Sequence, residues 1–486
     1  MNDNHDAHRN TADSPARRAF LRRGGQLALT GTALPWALNL AAIGEAAAFT
    51  ANDYKALVCV FLYGGNDHAN TVVPYDAASH ALYDAIRGGS NGIAISRAAL
   101  AATVLSPTTA LDSGREYALH PTMTALAGLF NSGKAAVQLN VGPLVVPLTR
   151  EQYDNGDRAK YPLPPKLFSH NDQQSVWQSS EAEGSTVGWG GAIGDLALSS
   201  NATSLFTCIS VTGNAVFLSG QRALQYQVSA SGSVHINALH ANVYNSAAVK
   251  TAMTALVQQQ RAHVLENEYN KVTARAIGAN AQLTAALAAA PPATAFPDAN
   301  PLADQLKTVA RLIAGRNTLG AKRQVYFVSL DGFDLHDNLV ARHPPLLTRL
   351  SEALAAFYNA TVELGVADKV TAFTASDFGR TLSSNGDGSD HGWGSHHFVV
   401  GGAVKGKAFY GTPPPVSIGD TAAPQDQWHV GQGRLLPSTS LAQYSATLAR
   451  WFGVADTEIN AILPNIGAFG EAAGRADYPR DLGFLG

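Results

Sequence analysis

The sequence predicts an α/β fold in which a mainly parallel central sheet carries helices on both faces. Short apolar runs rich in Val, Ile and Phe, without clear polar alternation, are typical of strands that are buried on both faces. Segments with helical periodicity lie between these runs, and such alternation favours a parallel sheet. The strands are expected at residues 56–63, 135–139, 205–211, 324–330 and 370–375.

Three helices are expected to cover this sheet. The clearest pattern lies at residues 345–364, where Leu346, Leu350, Leu354 and Phe357 recur at steps of three and four residues. A shorter helical pattern occupies residues 121–130. The last helix is expected at residues 441–452, packed against the sheet.

One region interrupts the alternation and is expected to be an insertion at about residues 240–300 of a domain that spans residues 52–486. Residues 245–287 are rich in Ala and Gln, and their apolar side chains recur at mostly three- and four-residue steps before a proline-rich linker. This pattern predicts one or two long helices outside the sheet that touch the mouth of the site. A coiled-coil dimer arm is the alternative, but the apolar stripe is too irregular to favour it.

The first 48 residues are interpreted as a twin-arginine export signal. Arg17 and Arg18 precede an apolar stretch at residues 27–43, and a run of small residues at 46–48 ends the segment, as in export signals that are cleaved. A permanent membrane span is the weaker interpretation, because Pro35 and Asn39 interrupt the apolar stretch. The expected partner is the twin-arginine export machinery, and the expected location is the periplasm or the medium.

Composition excludes some classes of function. A net charge of −3 gives no basic field for nucleic acid, while 46% hydrophobic residues are enough for a large core. The two cysteines, Cys59 and Cys208, fall in different predicted strands. Two buried, non-catalytic thiols are therefore more plausible than a disulfide.

Candidate metal ligands follow three of the predicted strands. Asp67 comes after the first strand and two glycines, and it is either a ligand or a helix cap. Asp334 and His336 follow the fourth strand, and their spacing of two places them on one side of an extended segment. Alternatively, the loop that contains Asp334 and His336 is an Asp-rich turn in solvent without a metal.

The loops after the fifth strand supply further ligands. Asp377 ends the strand, and Asp390, His391, His396 and His397 follow it. His391 ranks above His397, because an apolar run begins at His397. Carboxylates and imidazoles from three strand ends would meet at one edge of the sheet, and this mixture of oxygen and nitrogen suits a divalent ion of Zn, Mn or Fe better than Ca.

The chain after the export signal carries a series of motifs in a fixed order. They are Tyr63-Gly64-Gly65-Asn66-Asp67 with Asn70-Thr71-Val72-Val73-Pro74, Phe168-Ser169-His170 with Asp172-Gln173, Gly332-Phe333-Asp334-Leu335-His336, Ser376-Asp377-Phe378-Gly379-Arg380, Asp390-His391-Gly392 and Leu435-Leu436-Pro437. Taken in this order, the motifs resemble the bacterial domain-of-unknown-function 1501 family, and the likeness covers nearly all of the chain after the export signal. That family is in turn distantly similar to the alkaline phosphatase and sulfatase superfamily.

The resemblance implies an alkaline phosphatase-like fold and a hydrolase that uses one or two metal ions. The superfamily order of ligands and nucleophile maps here onto Asp67, Ser169, Asp334, His336, Asp377 and His391, with Ser169 as the nucleophile. The competing interpretation makes Ser169 the cap of a helix, in a capping box with Asp172. His170 and Asp172 are alternative ligands.

The sequence departs from the superfamily at the late carboxylate. Asp377 is followed by Phe378, Gly379 and Arg380, where the superfamily has an adjacent His, and the usual family residue at 377 is Glu. Arg380 then has two possible roles. It supplies a fixed positive charge to a substrate oxyanion, or it makes a structural ion pair with a nearby carboxylate.

The sequence is compatible with two functions. The first is an exported metal-dependent hydrolase of phosphate or sulfate esters, acting on a small anionic ester. The second is a non-catalytic periplasmic binding or assembly protein that keeps the fold and part of the ligand set.

Overall fold

The computed structural model describes residues 51–89, 92–232, 239, 242, 244–289 and 291–486. The predicted export signal at residues 1–48 lies outside these described residues. Within the described ranges, no helix is both long and apolar enough to cross a membrane.

Three parallel strands form the centre of the sheet, β1 (Lys55–Leu62), β7 (Arg323–Leu330) and β8 (Val370–Ser376). β1 lies between the other two, so that Val60 is level with Val328 on one side and with Thr374 on the other. Every residue of these strands except Lys55 is buried. We call the edge that carries their carboxyl ends the rim, because ligands of open α/β sheets bind at such edges.

The other strands extend the sheet on both sides. β5 (Cys208–Ser210) and β6 (Gln225–Gln227) continue the parallel order beyond β7. Beyond β8, strand β11 (Ser395–Gly401) runs antiparallel to both β8 and β4 (Ala135–Gly142). β12 (Phe409–Tyr410) and β13 (Thr439–Ser440) pair in parallel with β4. The nine-stranded sheet is therefore mainly parallel, as predicted.

Two differences from the predicted strands have physical reasons. The strand expected at residues 205–211 shortens to β5, because Ser204–Phe206 form a 3-10 turn before it. Strand β11 was not predicted, because His396 and His397 interrupt the apolar pattern at its start. Both imidazoles are nonetheless buried in the strand.

The side chains of β1 alternate between two hydrophobic layers. The even-numbered residues from Ala56 to Leu62 pack on one face, with α3 (Thr124–Asn131), α9 (Pro301–Ala314) and α10 (Leu339–Glu363). The odd-numbered residues from Leu57 to Phe61 pack on the other, with α5 (His170–Ser179), α6 (Trp189–Ala197) and α11 (Leu441–Phe452). Helices thus cover both faces, and α11 has the predicted bounds. Helix α10 begins earlier than predicted, so Pro344 and Pro345 lie inside it.

Shorter elements surround the rim. These are the helices α1 (His68–Thr71), α2 (Ala77–Arg87), α4 (Arg150–Asn155) and α12 (Asp456–Ile462), the antiparallel pair β2 (Val72–Pro74) and β3 (Tyr117–Leu119), and the antiparallel pair β9 (Arg380–Ser384) and β10 (Ser389–His391). Cys59 and Cys208 are free and buried on β1 and β5, as the sequence predicts.

The described part of the insertion forms the helices α7 (Ala247–Gln258) and α8 (Val264–Ala289). Its fixed contacts lie near the end of α8, where Gln282 donates to the Thr318 carbonyl and Ala286 packs on Gly315. Residues 315–321 lead into the amino end of β7, which is the edge of the sheet opposite the rim. The insertion is helical as predicted, but these contacts do not place it at the mouth of the site.

Candidate functional site

The loops after β1, β7 and β8 meet at the rim and hold one another through backbone contacts. The Gly64 amide donates to an Asp377 carboxylate oxygen over 3.2 Å, and the Phe333 amide donates to the Tyr63 carbonyl over 3.0 Å. Gly64 has a φ of +111°, and a Cβ there would lie 2.3 Å from the Asp334 nitrogen. Only glycine allows this approach of two loops.

The loop after β7 alternates between the core and the solvent. Phe333 and Leu335 are fully buried, whereas the Asp334 and His336 side chains are 44% and 43% exposed. The two apolar side chains therefore anchor the loop, and the two polar side chains point outward together. The predicted same-side arrangement of Asp334 and His336 holds, with 3.0 Å between His336 Nε2 and Asp334 Oδ1.

The third contribution comes from β10, whose pairing with β9 sets His391 opposite Arg380. His391 Nε2 lies 3.3 Å from Asp334 Oδ1 and 2.9 Å from His336 Nε2. Helix α5 supplies His170, whose Nε2 lies 3.4 Å from Asp334 Oδ2. We call His170, Asp334, His336 and His391 the histidine cluster. One ligand atom each of His170, Asp334 and His391 fits within 4.8 Å of the others.

Each histidine of the cluster is fixed through its Nδ1 by an oxygen that accepts a hydrogen bond. His170 Nδ1 donates to Asp377 over 2.7 Å, and His391 Nδ1 donates to the Phe168 carbonyl over 2.7 Å. His336 Nδ1 donates to Asp390 over 3.1 Å. A carboxylate or a carbonyl cannot donate, so each Nδ1 carries the proton and each Nε2 of the neutral ring carries a lone pair.

The lone pairs of His336 and His391 therefore face each other across 2.9 Å. Two acceptors at this distance repel unless a proton or a metal cation lies between them. Ligand nitrogens around a zinc-like ion, each about 2.0–2.1 Å from it, are separated by roughly 3.3 Å in a tetrahedral arrangement. The spacings of 2.9–3.4 Å between Asp334 and each histidine, and between His336 and His391, are close to that requirement. His170, Asp334 and His391, whose ligand atoms all lie within 4.8 Å of one another, therefore fit a divalent ion, with His336 beside them.

The charges beside the cluster favour a cation as well. Three carboxylates contact its histidines directly, those of Asp334, Asp377 and Asp390, while one guanidinium, that of Arg380, contacts Asp334. With neutral rings these groups together are negative, and they stay so when the Arg434 guanidinium beside His391 is counted. The hydrogen bond that His170 donates to Asp377 raises the pKa of His170, so a proton would compete with a metal there. Burial lowers the pKa of His391 and favours its neutral, ligating form.

Asp377 lies behind His170 rather than beside the other ligand atoms. Its side chain is fully buried, and the same oxygen accepts from His170 Nδ1 and, over 2.8 Å, from the Gln174 amide. His170 and Gln174 are four residues apart on α5, so both reach Asp377 from one helix face. Asp377, predicted as a ligand, is therefore placed as the group that orients His170.

Asp67, also predicted as a ligand, is placed elsewhere. It is buried, 2.9 Å from Arg87, and it accepts from the Ser389 hydroxyl and from the Asn70 amide. Burial raises the pKa of Asp67, but the charge of Arg87 outweighs it and holds that pKa well below its usual value. Asp67 caps α1, which is the alternative that the sequence left open.

Arg380 makes the structural ion pair of its two predicted roles. Its side chain is fully buried, NH1 donates to Asp334 and to the Gly64 carbonyl, and Nε and NH2 donate to the Ser389 carbonyl. All three guanidinium nitrogens donate hydrogen bonds to protein oxygens, so the guanidinium is not directed at an external oxyanion. Burial raises the pKa of Asp334, but Arg380 outweighs it and keeps the carboxylate ionised.

Ser169 occupies the residue before α5, as the cap interpretation predicts, but its hydroxyl makes no capping bond to the helix backbone. The hydroxyl donates instead to Asp172 over 2.9 Å, and Lys166 Nζ lies 3.4 Å from the same carboxylate. The preceding Phe168 has a φ of +74°, and this unusual backbone directs its carbonyl to His391.

Sequence patterns alone do not single out three residues of the site. His170 is only an alternative ligand in the sequence, because no sequence pattern shows that α5 reaches the rim. Asp390 and Gln174 support histidines that lie on other elements, a role with no sequence motif. His396 and His397 are buried in β11, where they bond to the Asn140 amide and to the Thr374 hydroxyl.

Comparison with protein families identifies the chain. A family model described as a protein of unknown function, DUF1501, matches residues 54–463. The match runs from β1 to α12 and includes the whole histidine cluster. Comparison with curated proteins found no match. The chain belongs to the DUF1501 family.

Proposed function

We propose that this protein is an exported, metal-dependent hydrolase of phosphate or sulfate esters. The observation that carries the proposal is the convergence of three Nε2 lone pairs on Asp334 in the histidine cluster. The mainly parallel sheet with its site at the carboxyl ends supports an alkaline phosphatase-like fold, and the twin-arginine pattern of the sequence supports export to the periplasm.

His170, Asp334, His336 and His391 would hold the ion. Three imidazole nitrogens and one carboxylate oxygen suit Zn, Mn or Fe and are too rich in nitrogen for Ca. When bound, such an ion supplies positive charge that polarises an ester and stabilises the negative charge developing on it.

The protein's own groups keep the cluster ready for this ion. Asp377 and Gln174 fix the His170 ring, the Phe168 carbonyl fixes His391, and Asp390 fixes His336. Arg380 keeps Asp334 ionised from the buried side. A group oriented before substrate arrives loses no free energy in reorganisation during the reaction.

Arg434 is the candidate for binding the anionic group of the ester, in place of the buried Arg380. Its side chain is half-buried, its Nε donates to the His391 carbonyl over 2.7 Å, and its guanidinium lies 5.0 Å from the centre of the Phe168 ring. These contacts hold a guanidinium next to the cluster. An arginine fork matches two oxygens of a phosphate or a sulfate.

The attacking group is the hydroxyl of Ser169 or a solvent water molecule. Ser169 precedes His170 in the chain, and its hydroxyl donates a hydrogen bond to Asp172. This hydrogen bond directs the hydroxyl towards Asp172 rather than towards the cluster. This favours water as the attacking group.

A second candidate function is a binding or assembly protein without catalysis. The observation in its favour is that Arg380 and Ser169, the two predicted catalytic side chains, are both engaged by neighbouring protein groups. Such a protein would bind the metal but would not hydrolyse esters.

A metal-dependent ester assay separates these functions. Purified protein is stripped with a chelator, restored with Zn, Mn or Fe separately, and assayed with nitrophenyl phosphate, bis-nitrophenyl phosphate and nitrophenyl sulfate. We expect hydrolysis only after metal is restored. Asp334→Asn should abolish it, whereas Asp337→Asn should retain it, since Asp337 lies on the same loop but pairs with Arg342 in solvent.

Two results would count against the hydrolase. Hydrolysis that survives chelation would show that the cluster is not its metal site. Stoichiometric metal without turnover on any of the three esters would favour the binding protein.

A further inference from the structure

The insertion exposes an unusual amount of apolar surface. Among the described residues, ten large apolar side chains are at least half exposed, and six of them lie between Tyr244 and Val272. These six are Tyr244, Leu256, Val264, Leu265, Tyr269 and Val272. Concentrated apolar exposure of this kind marks an interaction surface, whereas single exposed residues do not.

The insertion does not cover this surface itself. No residue of α7, all of which is described, is buried. The buried residues of α8 are Asn270, Ala279, Leu283, Ala286 and Leu287, so the apolar ones begin at Ala279. Helix α7 and the first half of α8 therefore form an arm that projects from the body of the protein. An isolated helix pair with so little burial is marginal in water, so a partner would stabilise it.

The apolar pattern of residues 245–287 is irregular as a whole, but one exposed face of α8 has the spacing of a coiled coil over residues 265–276. Leu265, Tyr269, Val272 and Ala276 follow one another at steps of four, three and four residues, and all four are exposed. These steps match the d and a positions of a heptad. The surface is a stripe, and its natural complement is another helix with a matching stripe.

The charged side chains beside the stripe indicate which helix fits against it and whether that helix runs parallel or antiparallel to α8. Glu268 lies on one flank before the midpoint of the stripe, and Arg275 lies on the same flank after it, 2.9 Å from Glu268. Glu266 and Lys271 repeat this order of acid before base. A second copy running antiparallel would place its Arg275 beside Glu268, whereas a parallel copy in register would place like charges level with each other.

We propose that α8 pairs antiparallel with α8 of a second copy, around a two-fold axis between Asn270 and Lys271. Tyr269 of each copy then faces Val272 of the other, and Leu265 faces Ala276. Stable interfaces bury about 1,200–2,000 Å² in total, and a stripe of four side chains is smaller. We therefore expect a concentration-dependent equilibrium between monomer and dimer. The contacts that hold the second half of α8 to the body lie opposite the rim, so we expect dimerisation to leave the histidine cluster unaffected.

Sedimentation velocity over a wide range of protein concentration tests the dimer. We expect wild-type protein to shift from monomer to dimer with increasing concentration, and Tyr269→Asp to remain monomeric with an unchanged melting temperature. Leu224→Asp is the matched control, because Leu224 is 72% exposed outside the arm. A wild-type monomer at every concentration, or a dimer that tolerates Tyr269→Asp, would overturn the proposal.

Disulfide trapping tests the direction of pairing. Leu265→Cys mixed with Ala276→Cys should give a cross-linked dimer, and neither variant alone should do so. The native cysteines are buried and do not interfere. Cross-linking of each variant with itself would contradict the antiparallel arrangement.

Flotation with vesicles of phosphatidylglycerol and phosphatidylethanolamine tests a competing occupant. Wild-type protein should stay in solution. Vesicle binding that Tyr269→Asp abolishes would show that the arm docks on a lipid surface instead of a second copy.

Discussion

Asp67 and Asp334 follow two adjacent parallel strands, and each has an arginine 2.9 Å away, yet their surroundings differ. Asp67 is 1% exposed and pairs with Arg87, whereas Asp334 is 44% exposed and faces three histidines. The comparison shows that a carboxylate at a strand end is not yet a ligand. A carboxylate can serve as a metal ligand when its oxygens are exposed beside other ligand side chains. It cannot do so when buried donors of the protein enclose it.

The difference also separates stability from chemistry. A buried carboxylate with its cation holds the loops together, and removal of that cation leaves an uncompensated charge in the core. Asp334 also pairs with a buried arginine, Arg380, but its exposed position among imidazoles creates in addition a place for a metal. Substitutions at Asp334 should therefore change metal content, whereas those at the Asp67 pair should change stability alone.

The largest effect is expected for Arg87→Met. Arg87 is fully buried and donates to Asp67, to Asn70 and to the backbone carbonyls of Thr381 and Leu382. Its loss should lower the free energy of unfolding by about 3–5 kcal/mol, because Asp67 is left buried and unpaired. Urea denaturation measures this change.

Arg342→Met is the matched control. Arg342 pairs with Asp337 in solvent, so its loss should change the free energy of unfolding by less than about 1 kcal/mol. Equal effects of the two substitutions would show that the Asp67 pair is not the buried anchor described above.

A smaller effect is expected for His68→Gln when the pH is lowered. Burial lowers the pKa of His68 to about 4, against 6.5 in the unfolded chain. The folded state therefore prefers the neutral ring, and the stability that results is present above pH 6.5 and is lost as the pH falls towards 4. Between about pH 7.5 and pH 5, wild-type protein should lose roughly 2 kcal/mol more than the variant. If the free energy of unfolding of wild-type protein and that of the variant fall by the same amount over this pH range, the His68 ring does not titrate as a buried group.

Ser169→Ala should affect stability less than Arg87→Met or His68→Gln. The hydroxyl makes one hydrogen bond, to Asp172, so its loss should cost about 0.5–1.5 kcal/mol. Ser175→Ala on the same helix is the control, because that hydroxyl also makes a single bond, to the Ala182 carbonyl. We expect ester hydrolysis and metal content to survive Ser169→Ala. Loss of hydrolysis with full metal content would instead identify Ser169 as the attacking group.

The sequence predicts the sheet well because its evidence is local. The strands β1, β7 and β8 are continuous apolar runs, and α11 begins at a serine that caps it. The pairing of Asp334 with His336 follows in the same way from a two-residue spacing. Strand β11 escapes prediction because its first residues are histidines that only the tertiary structure buries.

The rest of the site depends on distances between elements that no local pattern contains. Whether Asp67 faces a metal or Arg87 is decided by where α2 packs, and whether Arg380 faces solvent is decided by the Ser389 carbonyl. His170 enters the site because α5 reaches the rim and meets Asp377. These are long-range contacts, and single-sequence patterns do not determine them.

The most direct test is the metal content of purified, folded protein after dialysis against Zn, Mn or Fe, measured by elemental analysis. The histidine cluster predicts a stoichiometric ion in wild-type protein and its loss in Asp334→Asn and in His391→Gln. The melting temperature of His391→Gln should change little, whereas that of Asp334→Asn should fall, because the buried Arg380 loses its carboxylate partner. Full metal content in both variants, or no metal in wild-type protein under any of the three conditions, would contradict a metal site in this cluster.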